Sequence, residues 1–235
     1  MPLADDIQAL TTGTLAALVE RHDYYTFTKR VWRMLHRIVR EGSRFSFHNQ
    51  ATGTRVNEQT LLDLEQLYVT NYLLSSTFQD FVSLFEDFFF ELLRCWLVAY
   101  PASLSRKQVD MGMVLDAPDK KAIILAVADH ELNELKYRRL AEWFAYLDRL
   151  VNLGCPTADE IETLAEIKAS RDVLVHNNGI VNATYVSKAG SRARHMEGEK
   201  LTMIEQYHRE SWQTINNVVR DVSAAAIGKA RASQP

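Results

Sequence analysis

Apolar residues recur at three- and four-residue intervals along most of this chain, the pattern of helices that each bury one face. It predicts helices over residues 6–21, 24–40, 58–74, 77–99, 119–134, 137–151, 157–177 and 201–230, the first with the weakest signal. Residues 42–56 are polar and read as a loop or a short hairpin containing Phe45, Phe47 and Gly53. Residues 103–118 carry glycine and proline breaks and take no firm assignment, and 187–198 read as a loop rich in Lys, Arg and Gly. The expected architecture is all-α, a helical bundle. Residues 1–56 would form an N-terminal helical extension with a polar loop, and 57–235 the main helical domain, together one compact unit.

Two of these helices hold the informative side chains. In 77–99, Phe78, Phe81, Val82, Phe85, Phe89, Leu92, Leu93 and Trp96 share one wide face, which reads as core rather than as a platform for stacked bases. Glu86 falls inside that apolar arc, where a carboxylate needs a cation. The segment 157–177 opens on Thr157, a good N-cap, with Asp159 and Glu160 in the first turn and Gly179 just past its end. Its stripe is Ile161, Leu164, Ile167, Leu174 and Val175, and Arg171 sits in the middle of it. An arginine cannot shed its charge on burial, so it requires acceptors there. Three readings are open: a structural ion pair, for which Glu86 is a reasonable partner; a packed stem whose head reaches solvent; or a guanidinium held for a phosphate, near an imidazole able to move a proton. That imidazole, His176, lies about 140° round the helix from Arg171, so the two need not touch within one chain.

Arg-x4-His is a short signal, and Arg30 with His36 fits a looser form of it by chance. The full string Arg171-Asp172-Val173-Leu174-Val175-His176-Asn177-Asn178-Gly179-Ile180-Val181-Asn182, closing a helix, carries more. It resembles the motif of the HEPN domains (higher eukaryotes and prokaryotes nucleotide-binding), and most closely the bacterial branch related to ribonuclease-L-type (RiboL-PSP-like) domains. That motif is Arg, a polar Asn, Asp or His, a few residues, then His; Arg171, Asp172 and His176 match it position by position. The resemblance extends over roughly residues 61–227, through the aromatic helix, the motif helix, the Gly-Ile-Val step and the long C-terminal helix.

The resemblance implies a HEPN-like bundle and a metal-independent endoribonuclease whose two protomers join their motifs in one composite homodimeric site. His176 would then act as general acid/base and Arg171 would stabilise charge on the scissile phosphate, with Asp172 and Asn177 orienting them and Glu86 in support. Such proteins serve as toxins of toxin–antitoxin pairs or as antiviral defence effectors, so an antitoxin or regulatory protein would be a further partner. The alternative within the family is a non-catalytic helical module that binds nucleotide or a protein partner.

Composition narrows the field. Hydrophobic residues at 47% and charged residues at 24% exclude a disordered chain, and 5 prolines with 9 glycines favour long helices. Net charge is −3, yet Arg21, Lys29, Arg30, Arg33, Arg37, Arg40 and Arg44 crowd one stretch against Asp23 and Glu41. Lys188, Arg192, Arg194 and His195 make a smaller basic cluster near His176. Phosphate backbones attract such excesses, and Lys188, Arg192 and Arg194 are the expected RNA contacts. Two cysteines give no disulfide framework, and Asp129-His130-Glu131 lacks the second histidine of a zinc helix. No phosphate-cradling glycine loop or dinucleotide fingerprint occurs. No metal, no cofactor and no membrane span are expected, and without a basic-then-apolar leader the expected compartment is the cytoplasm.

Overall fold

The computed structural model describes residues 2–42, 47–104 and 108–232; Arg44, Phe45 and residues 105–107 of the unassigned stretch lie outside them. The architecture is all-α. In chain order the helices are α1 (Pro2–Arg40), α2 (Glu58–Leu67), α3 (Leu74–Ala99), α4 (Met111–Asp116), α5 (Lys120–Lys136), α6 (Leu140–Val151), α7 (Ala158–His176), α8 (Ala183–Ala189) and α9 (Glu205–Ala232). A π-helical segment, Tyr68–Leu73, joins α2 to α3, and residues 42–56 contain a hairpin of two-residue antiparallel strands, β1 (Phe47–His48) and β2 (Arg55–Val56). No helix among the described residues is long and apolar enough to cross a membrane.

α3 is the central post. Its aromatic face is buried from Phe78 to Trp96, and α1, α5, α7 and α9 pack around it. Phe89 stacks on Trp143 of α6 with centroids 5.6 Å apart and meets Phe144 edge-on at 5.0 Å. The wide apolar arc of the sequence is therefore core.

The two N-terminal helices of the sequence pattern are one. Thr11-Thr12-Gly13-Thr14 is a run of poor helix formers, which weakens the local signal. Packing overrides it: Leu3, Ala4, Ile7, Leu18 and Tyr25 are buried in the common core. The Thr11 and Thr12 hydroxyls donate back to the Ile7 and Gln8 carbonyls at 2.7 and 2.9 Å. Over α1, then, the segment expected as an extension is built into the same core as the rest.

One buried side chain sets a pH limit on this packing. His208 of α9 is fully enclosed, its ring 4.4 Å from that of Tyr25 and 4.9 Å from that of Phe81. Its Nε2 lies 2.8 Å from the Thr77 hydroxyl, which itself donates to the Leu73 carbonyl at 2.7 Å. That arrangement assigns the proton to Nε2 and leaves Nδ1 buried with no partner. Burial pushes the pKa down to about 4; His22 and Lys29 act in the same direction, and Glu205 opposes them. The unfolded chain thus binds this proton more readily, and the stability contributed by neutral His208 is lost as pH falls from 6.5 toward 4. Between pH 7 and 5 the loss is about 2 kcal/mol, or about 4–8 °C in Tm for a chain of this size. His208→Phe, which keeps Thr77 bonded to Leu73, should remove that part of the pH dependence. A variant whose Tm falls with acid as steeply as the parent's would assign the effect to another group.

Candidate functional site: a basic cleft at the end of α7

α7 begins and ends as its sequence dictates. The Thr157 hydroxyl accepts from the Glu160 amide at 3.3 Å, and the Glu160 carboxylate accepts from the Thr157 amide at 2.7 Å, a reciprocal cap. At the other end the chain turns through left-handed Asn178 (φ 50°) and Gly179 (φ 77°), and the Asn177 side-chain amide donates to the Ile180 carbonyl. The chain beyond the turn is pinned: Leu201 donates to Gly179 at 2.7 Å and Val181 to Glu199 at 2.9 Å. This short pairing occupies residues 199–201, which is why α9 starts at Glu205, four residues later than the pattern predicts. His176, the last residue of α7, is thus held on a closed turn.

The buried side of α7 differs from the stripe read in the sequence. Leu164 and Ile167 are buried as expected, Val173 joins them, and Val175 faces solvent. Arg171 does turn inward, with its side chain only 14% exposed. It pairs with Glu86 of α3, the partner considered from the sequence, and with Asp172 at 3.4 Å. Lys168 links the same two carboxylates, at 2.9 Å to Glu86 and 3.3 Å to Asp172, and Lys188 of α8 reaches Asp172 at 3.1 Å. Burial tends to raise the Asp172 pKa, but Lys168, Arg171 and Lys188 outweigh it and hold the carboxyl below its usual value. Three cations on two carboxylates leave the cluster positive. The Arg171 Nε–H has no partner among the described residues.

Arg171, Asp172, His176, Asn177 and Lys188 line one open cleft of about 400 Å³. Lys136, Tyr137 and Arg138, where α5 ends and turns toward α6, also line it, as does Lys168 of α7. The cleft therefore presents five cationic side chains and one carboxylate, Asp172. His176 is exposed within it and bonds to none of the described residues, which leaves both ring nitrogens free for a ligand. A histidine in that setting can give or take a proton beside an anion held by the surrounding cations. Glu86 lies behind Arg171 and not on the cleft wall. Sequence reasoning missed Lys168, although its i, i+4 spacing to Asp172 was readable, and it missed the Lys136–Arg138 turn.

The region expected as a basic loop has more structure than its composition suggests. Residues 183–189 form α8, capped by Asn182, whose side-chain oxygen accepts from the Tyr185 amide at 2.9 Å. Of the three expected RNA contacts, Lys188 alone reaches the cleft. Arg192 pairs with Asp159 and lies 3.7 Å from Glu162. Arg194 belongs to a buried network around Glu166 of α7, which is 4% exposed. Glu166 accepts from Ser170 at 2.7 Å, Tyr185 at 2.9 Å, Arg194 at 3.0 Å and Tyr207 at 2.7 Å. The Arg194 guanidinium also lies 3.2 Å from the Tyr207 ring centroid. Arg194 is therefore not a free loop charge: its head group is an internal tie. No three His, Cys, Asp or Glu side chains gather as metal ligands among the described residues.

Comparison with family models, with curated proteins and with solved structures finds no match to this chain.

Proposed function

We propose that this protein is a metal-independent endoribonuclease of HEPN type, acting as a homodimer in which the ends of two α7 helices meet. The observation that carries the reading is the unbonded, exposed imidazole of His176 in a cleft whose wall is cationic. One His176 would accept the proton of the RNA 2′-hydroxyl as that oxygen attacks the neighbouring phosphorus. The P–O5′ bond breaks, and the partner copy of the same histidine donates a proton to the leaving 5′-oxygen. Arg171 and the lysines would stabilise the charge gathering on the phosphoryl oxygens. Asp172, held by three cations, keeps Arg171 and Lys188 oriented toward the phosphate, and Asn177 fixes the turn that carries His176. A toxin or defence effector, neutralised by an antitoxin or regulatory protein, is the role that the motif resemblance suggests.

The same geometry supports one rival. Arg171 is already paired with Glu86, which suits a non-catalytic helical module whose motif serves packing and partner binding. Product chemistry separates the two. Labelled RNA incubated with the protein in EDTA should yield ends with a 2′,3′-cyclic phosphate and a 5′-hydroxyl, and light scattering should give a dimer at micromolar concentration. Intact RNA favours the packing module. A cleaving monomer would refute the shared site.

A further inference from the structure

The motif cleft does not stand alone. A second pocket of about 230 Å³ adjoins it and shares Arg138, Lys168, Ala169 and Lys188 as a common wall. The two differ in chemistry. The cleft carries most of the charge, whereas between the shared cations the second pocket is lined largely by apolar groups, Leu140 and Ala141 from α6 and Ile161 and Ala165 from α7, with one carboxylate, Glu162. At its mouth the exposed Arg139 guanidinium is steadied by a bond to the Ser187 hydroxyl at 3.0 Å.

We infer that this pocket seats one unpaired nucleobase of the RNA, next to the phosphate held in the cleft. A largely apolar lining disfavours a phosphate and accepts a flat ring. Below the roughly 300–1,000 Å³ that drug-sized ligands occupy, the space suits one ring system. Arg138, Lys168 and Lys188 stand between base and cleft, where the connecting sugar-phosphate would run, and Arg139 can lay its planar guanidinium on the ring. A base inside a duplex is stacked and paired and cannot enter; a splayed base in a loop or single strand can.

The pocket's role rests on RNA cleavage in the neighbouring cleft, yet the two fail separately. Ala141 is exposed on α6, so Ala141→Leu narrows the pocket without touching the core or the cleft; Ala165→Leu narrows it from α7, where Ala165 is half-buried against the core. The probe is a ten-nucleotide RNA pool of mixed sequence, 2′-O-methylated so that it cannot be cut, with matched versions carrying one abasic position and a matched duplex. Wild type should bind the single strand more tightly than the duplex. Each filling variant should weaken single-strand binding about tenfold, the size expected for losing one seated base, and Ala141→Leu should do so with unchanged Tm. One abasic version should bind wild type and variants alike. Equal affinity of wild type and both variants for the intact single strand would overturn the base pocket, even if unmodified RNA is still cleaved. Base-dependent binding without any cleavage of unmodified RNA would keep the pocket and overturn the nuclease.

Discussion

Replacing Glu166 with alanine should cost about 3–5 kcal/mol of stability, although the residue touches neither the cleft nor any expected substrate. Its carboxylate is the single acceptor at the centre of four donors contributed by α7, α8, α9 and the segment between α8 and α9. Removing it leaves the Arg194 charge without its counterion and the hydroxyls of Tyr185 and Tyr207 without their acceptor in a buried setting. A buried hydroxyl left without a partner costs about 1–3 kcal/mol, and the partly exposed Arg194 head group loses its counterion as well. Glu166→Gln keeps an acceptor oxygen for the tyrosines and should lose less. Glu162→Ala, one turn away and half exposed, should cost less than about 1 kcal/mol. For a chain of this size the Glu166→Ala loss corresponds to a fall in Tm on the order of 10 °C. If it melts with Glu162→Ala, Arg194 and the tyrosines are satisfied by water and the network is not what fixes α8 against α7. Arg194→Ala tests the same tie from the other side and should reduce stability, whatever it does to RNA affinity.

What was legible in the sequence follows periodicity and local capping. The extent of α7, its Thr157 cap, the left-handed exit at Gly179, the buried arc of α3 and the inward turn of Arg171 are all consequences of spacing within one helix. Glu86 could be matched with Arg171 because each stood out as a charge on an apolar face. Glu166 gave no such warning, since a Glu with Ser170 four residues on reads as a solvated face. Its other partners Tyr185, Arg194 and Tyr207 lie 19, 28 and 41 residues along the chain. Long-range pairing also hid the fate of Arg192, which folds back on Asp159, and the placement of Lys136–Arg138 in the same cleft as His176. α8 was missed for a different reason: seven residues are too few for a periodic signal, and only the Asn182 cap announced it.

The cleft is best tested at His176. Arg171 is a poor choice, because its removal leaves Glu86 and Lys168 rearranged beneath α3 and confounds folding with chemistry. His176 is exposed, bonds to none of the described residues and ends its helix, so His176→Ala should leave Tm unchanged within about 0.5 kcal/mol of stability. His176 is nevertheless the one histidine among the described residues that line the cleft, and an imidazole can both give and take a proton. The decisive measurement is the initial rate of cleavage of one labelled single-stranded RNA, in EDTA, by equal concentrations of wild-type and His176→Ala protein of matched Tm. A positioned acid/base of this kind contributes at least about 10²-fold, so the variant should retain no more than about one hundredth of the rate. Equal rates for the two proteins would mean that His176 does no chemistry and that the cleft is not the site of cleavage.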